Sequence, residues 1–444
     1  MYKRQEQTAY LAAYRKSDVV VYVSRRGSVS AVDPRELGLE EDDVELLRKP
    51  TEHCAQWPLA GEVERHLDSV NLRDVFWSVV DVLRRHVGFR DDLYYLVTAA
   101  WVVAAHFFPV FSAFPVFFIG KPGFGHGGTT LLMLMLALCP RPILAVLPTS
   151  AAIMRAAEVC RATIGIDEVR RELTKTERDA LIMLLDGGFQ KGVRIPRARG
   201  GSSPDIVSYE LYCPKIVVDP HGVIQSLSTI SRGIRVVITR QPRFETAALA
   251  DYVRAYADLA QSLYAAYLRY AHEVYEVYVN IRQSGRALGF SSGRALQTFA
   301  PLLAVAKLCG EDVYSAVHTA CLQCEKQWSS GIDLAAVTLT VLADLLRSDP
   351  GHVLRTRMST GEIYIDLSEL ARHVNAALQE MGIAKTRVTA AEVEHYVKSV
   401  LPPGSYRIEI IGWRKAAVLS RDMCTTTDSC REKLLDLIEN LGTL

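Results

Sequence analysis

Residues Phe114 to Leu134 read Phe-Pro-Val-Phe-Phe-Ile-Gly-Lys-Pro-Gly-Phe-Gly-His-Gly-Gly-Thr-Thr-Leu-Leu-Met-Leu: an apolar strand-like run, a glycine-rich turn, then an apolar helix-like run. This is the layout of a phosphate-binding loop. Residues without side chains let successive backbone N–H groups converge on one anion, and a lysine neutralises the β and γ oxygens. The loop has the glycines but no lysine where G-x-x-x-x-G-K-[ST] requires one. Gly120, Gly125, His126 and Gly127 fill the four defining places in one register; Gly123, Gly128, Thr129 and Thr130 fill them in another. A third reading is preferred, in which His126-Gly127-Gly128 replaces the lysine. It keeps both the strand before the loop and a helix start where Thr129 or Thr130 offers a hydroxyl to Mg²⁺.

A phosphate loop that drives hydrolysis needs a second half. Ala162 to Val169 is an apolar strand ending in Asp167 and Glu168. Asp167 would orient the Mg²⁺ shell and Glu168 would polarise the attacking water. A third strand, Lys215 to Asp219, ends in a carboxylate where nucleotide enzymes place a polar group that senses the γ-phosphate, more usually an asparagine. Arg232 follows a polar run and precedes another strand, Gly233 to Arg240. It is read either as a finger reaching a neighbouring subunit's ATP or as an ordinary salt-bridge arginine. Between the carboxylates and the third strand, Lys191, Arg194, Arg197 and Arg199 carry four positive charges with no acid until Asp205. That composition suits a loop or hairpin gripping phosphates, or simply a solvated loop.

These groups must be positioned by a large fold. A chain of 444 residues holds about three domains. With 51 Lys+Arg against 50 Asp+Glu, nucleic-acid affinity would come from local basic patches and not from the overall field. Leu93 to Ile119 contains no charge and is long enough to raise a membrane reading, but Pro109, Pro115 and His106 interrupt it. A buried helix over about 91–107 and a central strand over about 114–119 are expected instead, with no membrane partner. No signal-peptide core is present at the N-terminus, so the expected location is the cytoplasm. Nine scattered cysteines suit an intracellular protein. Cys321 and Cys324 with Cys424 and Cys430 could supply zinc ligands, or Cys424 and Cys430 could pair as a local disulfide.

The pattern along the chain divides into a small N-terminal α/β element (1–65), an α/β core with a parallel sheet and helices on both faces (66–244), a helical lid or bundle (245–330) and a C-terminal region (331–444). In the last, helix, strand, helix, helix and a hairpin turning near Gly412 follow the order of a winged helix; a structural α+β tail is the alternative. Helix 389–401 would be the recognition helix, with Thr386, Arg387 and Thr389 at its entry, and Arg407, Arg414 and Lys415 on the hairpin would contact DNA phosphates beside Trp413.

Taken together, Trp101-Val-Val-Ala, Phe111-Ser-Ala-Phe-Pro, the glycine loop, Ser150 with Arg155, Ile166-Asp-Glu, Gly188 to Arg199, Pro214-Lys215 and Ser231-Arg232 resemble the AAA+ or superfamily 3-like ATPase module of plasmid, viral and archaeal replication proteins. The resemblance covers roughly residues 66 to 330. It implies ATP and Mg²⁺ at Gly123 to Thr130, hydrolysis by Asp167 with Glu168, Arg232 acting between subunits of a ring, and a DNA channel lined by Lys191 to Arg199. Lys121 would stand in for the absent lysine as the displaced lysine of deviant loops does. Three functions follow as expectations: a ring-forming DNA helicase-type ATPase, a non-hydrolysing DNA-binding or assembly subunit beside an active partner, and a membrane-linked ATPase.

Overall fold

Runs rich in valine, isoleucine, tyrosine and phenylalanine form the strands of four sheets. The computed structural model describes all residues except 1, 4–7, 16–17, 27, 39–56, 90, 121–126, 146–156, 158–161, 168, 170–173, 199–205, 220–223, 225–226, 240–246, 331–333, 381–387, 399–400, 403, 424 and 441–444. The first sheet is an antiparallel meander of β1 (Tyr2–Lys3), β2 (Thr8–Arg15), β3 (Asp18–Arg25) and β4 (Ser28–Val32), in that order. Ala9, Leu11, Ala13 and Tyr22 on this sheet are buried in the main core. Ser24 Oγ donates to the Leu268 carbonyl at 2.6 Å.

The central sheet is built from β5 (Gly88–Phe89), β6 (Val116–Gly120), β7 (Pro142–Ala145), β8 (Thr163–Ile166), β11 (Lys215–Val218) and β12 (Gly233–Thr239), with a separate antiparallel hairpin, β9 (Arg194–Ala198) and β10 (Ile206–Glu210), inserted before β11. The order across the sheet is β5-β12-β6-β11-β8-β7. Every neighbouring pair is parallel except β5 with β12. The class is therefore α/β with a largely parallel six-stranded sheet. Alternation along β6 explains why both faces must be covered. Phe117 and Ile119 enter the large helical core, while Val116 and Phe118 enter a second cluster with Leu184 and Leu185 of the helix Lys175–Gly187.

On the large-core side, helix Gly128–Leu138 lies close to β8 because β8 carries Gly165. A methyl group there would come within 2.5 Å of Leu136 Cδ1. The uncharged run splits as expected into an interior helix, Asp92–His106, and strand β6. Trp101, fully buried, donates its indole N–H to the Pro115 carbonyl at 2.9 Å and so ties the helix to the start of β6. Among the described residues, no helix is long and apolar enough to cross a membrane.

After β12 the described chain forms helices Leu249–Ala255, Ala257–Gln283, Gly293–Cys309 and Glu311–Ser330. Their apolar faces join those of helices Leu72–His86 and Asp92–His106, so a single buried cluster runs from Ala9 to Cys324. Apolar packing is thus continuous across positions 65 and 244.

A second cluster, from Leu339 to Ile438, belongs to the C-terminal region. It contains helix Leu334–Ser348, β13 (Leu354–Thr356), β14 (Ile363–Asp366), helix Leu367–Glu380, helix Ala390–Lys398, β15 (Tyr406–Ile411), β16 (Arg414–Leu419) and helix Thr427–Asn440. The sheet order is β13-β14-β16-β15. The β15–β16 hairpin turns at Gly412, whose φ of 67° lies in the left-handed region that glycine adopts without steric cost. Thr389 caps its helix as expected, with Glu392 accepting from its amide at 2.8 Å. The four-cysteine zinc expectation is not met. Cys430 is disulfide-bonded, while Cys321 and Cys324 are buried free thiols in the other core. Cys424 lies outside the described residues.

Candidate functional site

In a parallel sheet every strand presents its carboxyl end to the same edge, and loops there can converge on one ligand. Several of the expected residues meet this condition. Gly127 caps helix Gly128–Leu138 with φ 84°, a left-handed conformation reserved in practice for glycine, and its carbonyl accepts from the Leu131 amide at 2.9 Å. The first amides of a helix start have no acceptor within the helix and are therefore open to an external one. Thr129, in the first turn, donates its hydroxyl to Asp167 Oδ1 at 3.1 Å. Asp167 follows β8, and its own amide donates to the Ala145 carbonyl at the end of β7. Thr130, the other candidate hydroxyl, is buried.

Asp219 immediately follows β11 at the same edge, its amide donating to the Ile119 carbonyl of β6 at 2.9 Å. Its side chain is fully buried. It accepts from the Ile224 amide at 3.2 Å and pairs with Arg235 Nη2 of β12 at 3.1 Å. Arg235 has no part in the sequence expectation, yet it supplies the positive charge that offsets the buried carboxylate. Gly120 ends β6. Lys121, Gly123, Gly125, His126 and Glu168 lie outside the described residues.

No family model and no curated protein matches the chain. Among solved structures it is similar to the A form apo structure of the NrS-1 C terminal region, with 10% identity and a TM-score of 0.30 over 92% of this chain and 95% of that one. A second structure of that region, covering its residues 305–718, is similar at 9% identity and a TM-score of 0.25, over 92% of this chain and 96% of that one. Superpositions this weak carry no functional argument.

The remaining core residues occupy the opposite edge of the sheet. Arg232 immediately precedes β12, and its carbonyl accepts from Val116 N at the start of β6. A five-residue strand rising about 3.3 Å per residue separates it from the Thr129–Asp167 edge by about 15 Å. Its guanidinium bonds the Ser228 carbonyl and hydroxyl, lies 3.7 Å from Asp186 Oδ2, and sits over the Phe189 ring. Arg294, from the first turn of helix Gly293–Cys309, covers the same ring. Burial and the neighbouring Arg232 hold its guanidinium below the ordinary value. Nothing in the spacing of the sequence pairs Arg232 with Arg294; the helical packing does.

The basic segment lies at this second edge too, and it is a hairpin. Lys191 donates its amide to Ser112 O and its ammonium to Pro109 O at 2.8 Å, which anchors the hairpin base beside β6. Arg194 is exposed and donates across the hairpin to Ser208 O. Arg197 is on β9; Arg199 lies outside the described residues. Beneath the hairpin, the fully buried Lys215 donates to the carbonyls of Gly188 at 3.1 Å and of Leu211 and Cys213 at 2.8 Å. Burial pushes this ammonium below its usual value, and three carbonyls satisfy all three of its donors.

In the C-terminal region the hairpin cations are all engaged. Arg407 pairs with Glu362 and Glu409, Arg414 with Asp366 at 2.7 Å, and Lys415 with Glu394. A phosphate binding there would have to compete with these carboxylates. Trp413 at the turn is 82% exposed. Arg387 and Thr386 lie outside the described residues.

Proposed function

We propose that the chain is an AAA+ or superfamily 3-like protein that binds ATP with Mg²⁺ and acts on DNA in replication or mobile-element maintenance. Its hydrolysis would be weakened relative to loops that carry the usual lysine. The observation that carries this reading is the Thr129 hydroxyl 3.1 Å from Asp167, on two segments that follow non-neighbouring strands of one parallel sheet. A hydroxyl at a helix start facing a strand-end carboxylate is the donor set a Mg²⁺–phosphate complex requires.

Strand order supports it. The chain leaves β6 for β7 at the sheet's far side, returns through β8 and β11 to one flank of β6, then crosses to β12 on the other flank. Such a reversal leaves a crevice at the carboxyl end of β6, the general ligand position in open parallel sheets. Bound there, Mg²⁺–ATP would supply the reactive phosphoanhydride. Thr129 and Asp167 would hold the metal, Gly127 and Gly128 would aim backbone amides at the phosphates, and Glu168 would orient water.

Arg232 sits too far away to reach a nucleotide bound in its own chain, so its proposed role as a finger requires a neighbouring subunit and hence a ring. The β9–β10 hairpin lies at that same edge, which favours its proposed role in gripping a DNA backbone through Lys191, Arg194, Arg197 and Arg199. We read residues 1–65 as an accessory element, 66–244 as the nucleotide core, 245–330 as the lid and 331–444 as a winged-helix module.

A second reading, a non-hydrolysing platform beside an active ATPase, is favoured by one feature: the loop's only lysine is Lys121 and its expected lysine place carries His126 or Thr129. Measuring ATP turnover by the pure protein, with and without single- and double-stranded DNA, separates the two. DNA-stimulated turnover supports the motor. Nucleotide binding without turnover supports the platform, and neither binding nor turnover overturns both.

A further inference from the structure

We propose that His352, Glu369 and His373 form a binding site for a zinc-class divalent transition-metal ion, separate from the nucleotide site. His352 comes from the single turn Pro350–His352 that follows helix Leu334–Ser348. Glu369 and His373 stand four residues apart on helix Leu367–Glu380, so they share one face. One ligand atom from each of the three side chains lies within 4.8 Å of the others.

The geometry is near what coordination needs. Zinc holds imidazole nitrogen at about 2.0–2.1 Å and carboxylate oxygen at about 2.0–2.2 Å, which puts neighbouring ligand atoms about 3.5 Å apart. His373 Nε2 is 3.5 Å from Glu369 Oε1. The two imidazoles meet edge to face with centroids 5.3 Å apart. His352 is exposed enough to turn the remaining distance. The same His373 Nε2 has almost no solvent exposure and only this long contact to Glu369, so it is weakly satisfied where most buried polar atoms are well paired. A metal ion at this point would satisfy it.

Donor chemistry selects the ion. Two imidazoles and one carboxylate suit zinc, cobalt or nickel, whereas magnesium and calcium prefer all-oxygen shells. Asp349, whose carboxylate is 3.3 Å from His352 Nε2, stands at the rim of the group as a further anionic oxygen. Glu369 is shared with Arg372 and lies 3.5 Å from Arg414 of the β15–β16 hairpin, so cation binding works against two guanidiniums. The affinity should therefore fall below that of closed all-cysteine sites. Occupancy would clamp the turn after helix Leu334–Ser348 to helix Leu367–Glu380.

The test uses the full chain, stripped with a chelator and titrated with Co²⁺, then with Zn²⁺ by calorimetry. Wild type should develop visible d–d bands of low-symmetry cobalt and bind one more equivalent than His352→Ala or His373→Gln. Affinity at that equivalent should drop about 10-fold or more in either variant, since losing even a partner behind a ligand costs 10- to 100-fold. His352 is exposed, so its variant should fold as wild type by circular dichroism, and Zn²⁺ should raise the melting temperature of wild type alone. Equal stoichiometry and equal Co²⁺ spectra in wild type and both variants would overturn the proposal.

Discussion

Arg235, from the body of β12, holds the fully buried carboxylate of Asp219, just past the end of β11, at 3.1 Å, and these two strands flank β6. The pair joins both sides of the proposed nucleotide crevice. Replacing Arg235 with methionine removes the guanidinium and leaves the carboxylate in a buried place, a change that typically costs about 3–5 kcal/mol. Asp219→Asn should be milder, because the charge it strands, the Arg235 guanidinium, keeps some contact with water whereas the carboxylate has none. Urea denaturation of both variants checks the order; equal losses would mean that the charge pairing has no special weight.

Replacing Thr129 with valine, or Asp167 with asparagine, should weaken Mg²⁺-dependent ATP binding at least tenfold, about 1.4 kcal/mol. Thr129→Ser keeps the hydroxyl and should stay near wild type. Calorimetry in the presence and absence of Mg²⁺ reads the difference. Metal-independent losses of the same size in all three variants would point to packing and not to metal coordination.

Arg232→Ala should reduce any ATP turnover by about 10³ or more while nucleotide affinity holds, because the arginine faces away from its own subunit's crevice. Mixing this variant with Asp167→Asn should recover part of the activity, since some interfaces then combine an intact arginine with an intact aspartate. No recovery on mixing, with both variants assembled, would assign Arg232 to its local contacts with Ser228 and Asp186.

Alanine at Lys191, Arg194, Arg197 and Arg199 together should flatten the salt dependence of DNA binding. Each phosphate contact removed takes about 0.7–0.9 from the slope of log affinity against log salt. Fluorescence anisotropy at several salt concentrations measures it, and an unchanged slope takes the hairpin out of the DNA interface.

His106 predicts an acid sensitivity. It is buried between helix ends, with Nε2 donating to the Leu138 carbonyl at 2.8 Å, and burial pushes its pKa down from 6.5 to about 4. In the unfolded chain it takes up a proton first, so stability is lost as pH falls from about 6.5 to about 4. The loss should reach about 2 kcal/mol at pH 5 relative to pH 7. Urea midpoints for wild type and His106→Asn at these two pH values should differ in slope by that amount; parallel slopes would assign acid sensitivity to other groups.

Much of the framework was legible because it rests on local signals. The uncharged run became a helix and a central strand, since its prolines and the following glycines break an apolar stretch where they stand. Val116 to Gly120, Thr163 to Ile166 and Lys215 to Val218 are short apolar runs bounded by polar or glycine residues, and each became a parallel strand. The hairpin at Gly412 and the cap at Thr389 depend on neighbours only a few residues away. β7 escaped the reading because four residues opening on proline carry too little periodicity to distinguish.

Local patterns along the chain define a set of elements and the reactive groups each carries: a hydroxyl at a helix start, a carboxylate after one strand, an arginine before another. Which of them meet is set by packing in three dimensions. Thr129 and Asp167 are 38 residues apart and touch because Gly165 lets helix Gly128–Leu138 settle against β8. Arg232 and the Lys191 hairpin share an edge that Thr129 does not, because parallel strands sort their two ends onto opposite sides. Asp219 finds Arg235, and His352 finds Glu369 and His373, through packing between elements that no local pattern encodes. Pairings of this kind are set by how buried faces fit together over long sequence separations, and the physical chemistry of a short window contains no information about that fit.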